Sequence, residues 1–187
     1  PFLISSEVAI PVGQGTGELY YSYSPSSGDR IGPVPALFPK GFSGFYMMKY
    51  EISQQAYVDF LNSLSPGVAS GRYSALTGGR NGISLNAGIY STSRPFLPCN
   101  YLSWEDAAAY TDWSGLRPIT EFEFEKACRG DQFPVPNEYA WGTSSIASAA
   151  YTLNNSGLAN EGIATNYNTS GVNGNASTPN TDGSIDG

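Results

Sequence analysis

The sequence predicts an α+β fold of short helices, small antiparallel strands and much irregular loop. Three observations predict it. Residues 99–129 hold two short helices written back to back, each with its own start signal: Ser103 with Asp106 three positions on, and Thr120 with Glu123 three positions on. In such a capping box the hydroxyl accepts from the third helical N–H, and the acid reaches back to the cap's own N–H. The chain also carries 22 Gly, 13 Pro and 13 Tyr but only 13% charged residues, against about a quarter in an average domain. That composition disfavours a helix bundle. Lastly, the strand-like stretches are short and bounded by Gly or Pro. A length of 187 residues is enough for a proper core, so residues 1–187 are read as a single domain.

Taken in order, residues 5–23 read as two strands around a turn. Val8-Ala-Ile-Pro-Val12 is apolar, Gly13-x-Gly15-x-Gly17 turns, and Glu18-Leu-Tyr-Tyr-Ser-Tyr23 is aromatic. The glycine spacing lacks the GxGxxG of a dinucleotide loop, and no helical stretch follows. Residues 24–40 are a Pro/Ser/Gly loop, and residues 42–52 a strand. Ser53 then caps a helix whose apolar face is Ala56, Tyr57, Phe60, Leu61 and Leu64, and Pro66-Gly67 ends it. Residues 68–94 are polar and Gly-rich, with alternation at Ile83 and Leu85 marking one short strand. Residues 94–99 run extended, because residues before proline avoid the helical region.

The first central helix places Trp104, Ala107, Ala108 and Thr111 at i, i+3, i+4, i+7. The second groups Phe124, Ala127 and Cys128. Both stripes are expected to face the core, and Gly115 and Gly130 stand where a helix commonly ends in a left-handed residue. Residues 133–142 are extended between prolines, and Trp141 is expected inside because a buried indole removes much apolar area from water. The core is therefore expected on Trp104, Tyr110, Trp113, Phe124 and Trp141. Residues 143–187 are rich in Asn, Ser, Thr and Gly and read as loop.

Composition excludes several functions. Net charge is −7, with nine Lys plus Arg scattered singly. No basic patch is present to neutralise phosphates, so nucleic acid is not an expected partner. No apolar run approaches the ~18 residues of a membrane span. Acidity with a Ser/Thr/Asn/Gly-rich surface fits a secreted or cell-surface protein. There is no histidine, which removes Ser-His and Cys-His catalysis and the commonest zinc and copper nitrogen ligand. Cys99 and Cys128 are too few for a four-thiolate metal site. They are read as a disulfide in an oxidising compartment, the alternative being two buried thiols. Glu105, Asp106, Glu121, Glu123 and Glu125 cluster in sequence, but structural roles account for them: Asp106 and Glu123 as caps, Glu125 as the partner of Arg129 four residues on.

The stretches Ser-Trp-Glu-Asp-Ala-Ala-Ala-Tyr110, Gly-Leu-Arg117, Thr-Glu-Phe-Glu-Phe-Glu-Lys-Ala-Cys-Arg-Gly130 and Tyr-Ala-Trp-Gly142 resemble the formylglycine-generating enzyme (sulfatase-modifying factor) family. So does Phe45-Tyr-Met-Met-Lys-Tyr-Glu-Ile-Ser-Gln-Gln-Ala-Tyr-Val-Asp-Phe-Leu-Asn62. The resemblance covers about residues 41–158. It implies the family's variant of the C-type lectin fold. It also implies calcium in the loop after Trp141-Gly142, with Asn154 and Asn155 as ligands and Asp182 or Asp186 as the later carboxylate; the alternative is an Asn-rich loop without an ion. Arg117 matches an arginine that begins an Arg-Leu-Pro-Thr-Glu turn in the family. Here the turn is Arg-Pro-Ile-Thr-Glu, and Arg117 is expected to hold carbonyls or a carboxylate there.

The family's enzymes work through a pair of cysteines near the C-terminus that bind copper. Neither that pair nor the Gly-Asn-x-Trp-Glu motif occurs in these residues, so no catalytic residue and no copper site carries over. The chain is expected to stop short of the family's C-terminal core strands. The expected function is an extracellular, non-catalytic binding or assembly module, taking a protein or glycan ligand at the cell surface or assembling with itself. Two alternatives stand beside it: a copper-dependent formylglycine-generating oxidase whose active half lies outside this chain, and a structural subunit of a surface fibre completed by a neighbouring chain.

Overall fold

The computed structural model describes residues 2–20, 32–76, 78–130, 136–139, 144 and 152–165. In chain order the elements are β1 (Val12–Gly13), β2 (Leu19–Tyr20), α1 (Gln54–Ser63), α2 (Pro66–Arg72), β3 (Ile83–Asn86), β4 (Ile89–Thr92), α3 (Trp104–Trp113), α4 (Glu121–Arg129), β5 (Leu153–Asn154) and β6 (Gly162–Ile163). The fold class is mixed α+β. β3–β4 and β5–β6 pair antiparallel, whereas β1 and β2, expected as strands around a turn, pair in parallel over two residues. The chain forms two compact units, one of residues 1–47 and 119–144, the other of residues 48–118 and 145–187. The helix pair of residues 99–129 is thereby divided: α3 belongs to the second unit and α4 to the first.

The second unit is built on α1. Ser53 has extended backbone and its hydroxyl accepts from the Ala56 N–H at 3.2 Å, so the cap read from the sequence starts the helix. The i, i+3, i+4 spacing then buries Tyr57, Val58, Phe60 and Leu61 on one face. Pro66 does not simply end the segment; it opens α2, where a missing N–H and a fixed φ suit the first helical turn.

The β3–β4 hairpin packs its inner face on α1, pairing Leu85 with Tyr90 and Ile83 with Thr92. Its two-residue turn needs positive φ at both Ala87 (49°) and Gly88 (82°), the geometry that matches strand twist. The Asn62 side-chain amide serves as a pairing partner for β4. It donates to the Tyr90 carbonyl and accepts from the Tyr90 N–H, both at 2.9 Å. Tyr57, Val58, Phe60, Leu61, Ala69, Tyr90 and Tyr110 form the core. Phe60 meets Tyr110 edge-on at 5.8 Å between ring centroids, a geometry the ring quadrupoles favour.

Two expectations about α3 are corrected. Tyr110 lies in the core, but Trp104 is 69% exposed, and Trp113, although it packs against Phe60 and Tyr110, is 46% exposed. The helix is turned so that Asp106, Tyr110 and Trp113 face α1 and α2. Asp106 pairs with Arg72 at the end of α2, at 3.3 Å, while Tyr110 fills the space beside Tyr57 and Phe60. Those two anchors fix the rotation of the helix and leave Trp104 outward, with Ala107, Ala108 and Thr111 half-buried.

The first unit is organised by Lys40 and α4. Lys40 is 1% exposed, and its Nζ donates to the carbonyls of Pro35 (2.7 Å), Phe38 (2.8 Å) and Glu7 (3.3 Å). The Glu7 carboxylate accepts from the backbone N–H groups of Lys40 and Ser43. Those bonds, that of Ser43 first, hold its pKa below the usual carboxylate value. No regular strand forms over residues 42–52; the start of the segment hydrogen-bonds to a helix instead. Lys126 of α4 donates to the Gly41 and Phe42 carbonyls, and Phe122 meets Phe38 edge-on. Gly41 has φ 70°, and a Cβ there would come within 3.2 Å of the Glu123 Cα, so the close approach requires glycine. With Phe122, Glu123 and Lys126 turned to this segment, Phe124 is 51% exposed and Cys128 is exposed, which corrects the expectation that they face a core.

Candidate functional site

Both capping boxes are formed. The Ser103 hydroxyl accepts from the Asp106 N–H at 3.1 Å while Asp106 accepts from the Ser103 N–H at 3.0 Å. Thr120 and Glu123 reciprocate at 3.2 and 3.0 Å. Thr120 also donates to the Pro39 carbonyl, and Glu123 is buried, so this box ties α4 to the Lys40 segment as well as starting the helix. Arg117 is exposed and donates to the Pro118 carbonyl at 3.1 Å. Trp141, Asp182 and Asp186 lie outside the described residues.

Cys99 and Cys128 are free thiols, in place of the disulfide expected between them. Each is held by different neighbours. Cys99 is fixed beside the start of α1, its N–H donating to the Ile52 carbonyl at 2.7 Å, and packs against the core. Cys128 stands on the outward face of α4 in the other unit. Burial, with a smaller contribution from Asp106, pushes the Cys99 thiol up to about 12 from an ordinary 9.0. Burial and Asp106 likewise raise Tyr57, whose hydroxyl donates to the Arg72 carbonyl.

A thiol attacks as thiolate. Iodoacetamide at neutral pH is therefore expected to label Cys128 in the native protein and to leave Cys99 unlabelled until urea unfolds it; peptide mass mapping reads both. The shift also fixes a pH dependence. The Cys99 thiol gives up its proton more readily unfolded than folded, so its contribution to stability is complete below pH 9 and is lost as pH rises toward 12. Cys99→Ala is expected to flatten urea midpoints across that window.

Sequence reasoning missed three polar nodes. Lys40 is one. Gln54, at the first position of α1, is buried and joins four groups: its Oε1 accepts from the Gly82 N–H and the Thr92 hydroxyl, and its Nε2 donates to the carbonyls of Arg80 and Pro98. The third is an ion pair between Arg80 and Glu161. Long-range partners carry no sequence pattern, and a lone Lys, Gln or Arg is unmarked.

In the region where the resemblance implies calcium, Asn154 ends β5 with an exposed side chain, and Asn155 has φ 53° and donates from Nδ2 to the Asn160 carbonyl. Among the described residues no group of three His, Cys, Asp or Glu is placed to hold a metal, and no helix is long and apolar enough to cross a membrane. What the described residues do offer is outward aromatic surface. On α3, Trp104 lies one turn before Ala107 and Ala108, with Glu105 and Asp112 along one edge; on α4, Phe124 lies beside Ala127 and Cys128, with Glu121 and Glu125 along one edge.

A family model described as a sulfatase-modifying factor enzyme 1-like domain matches residues 6–182. The formylglycine-generating enzymes of Streptomyces coelicolor and Thermomonospora curvata are each 47% identical to this chain over 51 residues, which is 27% of this chain and 16% of each enzyme. The formylglycine-generating enzyme of Bos taurus is 51% identical over 37 residues, 20% of this chain and 10% of the enzyme. The matched stretches thus span less than a fifth of each of these relatives. No solved structure matches.

Proposed function

The chain belongs to the family of sulfatase-modifying factor enzyme 1-like domains, and from that premise we propose that it uses the family scaffold to bind rather than to catalyse. It is a non-catalytic binding or assembly module on a C-type-lectin-like variant of the α+β fold, working at the cell surface or outside the cell. One observation carries the reading: at the start of α3 Trp104 is 69% exposed, and on α4 the stripe of Phe124, Ala127 and Cys128 is exposed, Phe124 at 51%. A singly exposed apolar side chain is ordinary; what supports recognition is that Phe124 continues into exposed Ala127 and Cys128, and that Trp is prominent among residues that dominate binding energy. The partner suited to such stripes, each edged by carboxylates, is a protein surface with apolar and basic side chains. The low charge and the Ser/Asn/Gly-rich composition support a recognition role in an extracytoplasmic setting.

A second reading is favoured by the names of the relatives: an oxidase that converts a substrate cysteine to formylglycine. Copper prefers soft thiolate ligands. The resemblance carries no catalytic cysteine pair over to Cys99 or Cys128, so that reading needs its ligands elsewhere.

The two separate in one experiment. The protein is incubated with copper(I), oxygen and a synthetic cysteine-containing peptide, and the peptide is read by mass spectrometry and an aldehyde-reactive probe. The cysteine is expected to remain a thiol or a disulfide; an aldehyde would overturn the binding reading. In parallel, sedimentation velocity across a concentration series, for the wild type and for Trp104→Ala and Phe124→Ala, tests assembly. Association lost in either variant assigns the stripe that carries it.

A further inference from the structure

We propose that Arg80 is the internal cation of the loop between β5 and β6, and that its guanidinium holds the loop's carboxylate where the resemblance would place a divalent ion. Residues 155–161 turn back on themselves. The Leu158 N–H donates to the Asn155 carbonyl at 2.9 Å, and the Glu161 N–H to the Leu158 carbonyl at 3.0 Å. Asn155 and Gly157 both have left-handed backbone, so the loop closes tightly enough for the Glu161 carboxylate to accept from the Gly157 N–H at 2.5 Å. The same carboxylate oxygen pairs with the Arg80 guanidinium.

Arg80 is built into that position. It follows Gly79 in a turn where both residues have positive φ, 57° and 65°, a backbone that costs a non-glycine residue on the order of 1–3 kcal/mol and persists only where the surroundings fix it. They do: the buried Gln54 amide donates to the Arg80 carbonyl, and the Asn100 amide donates to the Gly79 carbonyl at 2.5 Å. The side chains of Arg80 and Glu161 are 11% and 17% exposed. At that burial, removing one partner leaves the other charge uncompensated.

Calcium collects six to eight oxygens, carboxylates prominent among them. Here the loop's carboxylate is shared between a backbone N–H and a guanidinium, and a dication entering it would meet the positive charge of Arg80. The Asn160 carbonyl already accepts from the Asn155 amide, and the Asn154 side chain points to solvent. One Glu161 oxygen and the Asn155 and Asn160 carbonyls are thus engaged from within, beside a fixed positive charge, and the described residues do not fit the ion. The loop keeps its shape by an ion pair to the core and is indifferent to divalent cations.

The test uses the whole protein. Thermal unfolding and limited proteolysis, with cleavage mapped across residues 155–161, are followed in excess calcium chloride and in EDTA. The wild type is expected to give the same Tm and the same cleavage in both. Arg80→Met is expected to lower Tm by roughly 3–8 °C and to open the loop to the protease. If Arg80→Met does not fold, Glu161→Gln, which removes the charge and keeps the shape, is expected to give the same fall. A wild type that loses Tm in EDTA and regains it with calcium would overturn the proposal. So would an Arg80→Met or Glu161→Gln variant with unchanged Tm and an uncut loop.

Discussion

Gln54→Leu is expected to destabilise the second unit by about 3–5 kcal/mol, since each buried polar group left unpaired costs about 1–3 kcal/mol. Leucine nearly matches glutamine in volume, so the loss arises from hydrogen bonds rather than from a cavity. Gln54 is 1% exposed. Removing its amide strips the Gly82 N–H and the Thr92 hydroxyl of their acceptor, both at 2.9 Å, and the Arg80 carbonyl of its donor at 3.1 Å. These partners come from the β3 approach, the end of β4 and the turn that carries Arg80, so the loss spreads beyond α1. Urea unfolding followed by circular dichroism gives the magnitude. Hydrogen exchange gives the place, with protection expected to fall around Gly82 and Thr92. A change under about 1 kcal/mol would mean that the node is dispensable, since conservative surface substitutions already reach half of that.

Lys40→Met is the matching test in the first unit and is expected to cost about 2–4 kcal/mol, again from unpaired carbonyls. Methionine reproduces much of the aliphatic stem but donates nothing, and three carbonyls that converge on Nζ lose their donor. The backbone bond from the Lys40 N–H to Glu7 survives, so the segment loosens rather than detaching. Its effect reaches α4, because the Pro39 carbonyl next to Lys40 accepts from Thr120. Hydrogen exchange is therefore expected to quicken both over residues 35–42 and in the first turn of α4, while α1 stays protected. Unchanged exchange in α4 would break the link between the two.

The parts of this fold that were legible in the sequence are those set by local chemistry. Ser53, Ser103 and Thr120 cap helices because a hydroxyl three residues before a free N–H needs no help from elsewhere. Gly115 and Gly130 take the left-handed backbone that only glycine adopts cheaply. What local chemistry does not set is which way a helix faces. On α3 both the Trp104 and the Tyr110 sides carry apolar residues, and the choice falls to Asp106, which reaches Arg72 thirty-four positions away. On α4 the Phe122 side contains Glu123 and Lys126, which read as polar, yet both are taken up by capping and backbone bonds. The Phe124 side, apolar in pattern, was left to solvent. Residues 42–52 have strand-like composition but form no regular strand: at one end the Phe42 carbonyl accepts from Lys126, and at the other the Ile52 carbonyl accepts from the Cys99 N–H. The same reasoning explains why the residues put forward for calcium came from a resemblance, whereas the pair that closes their loop, Arg80 and Glu161, is separated by eighty-one positions and left no local trace.

Which faces of α3 and α4 meet water decides between a binding surface and a core, and hydroxyl-radical footprinting read by mass spectrometry measures this residue by residue. Each rate is normalised to that of the same residue in the unfolded protein. Trp104, Phe124 and Cys128 are predicted to be modified at a large fraction of their unfolded rates, with Tyr110, Phe60 and Tyr57 strongly protected. Protection of Trp104 and Phe124 equal to that of Tyr110 and Phe60 would contradict the account, for the stripes would then be core and no binding surface would remain on these helices.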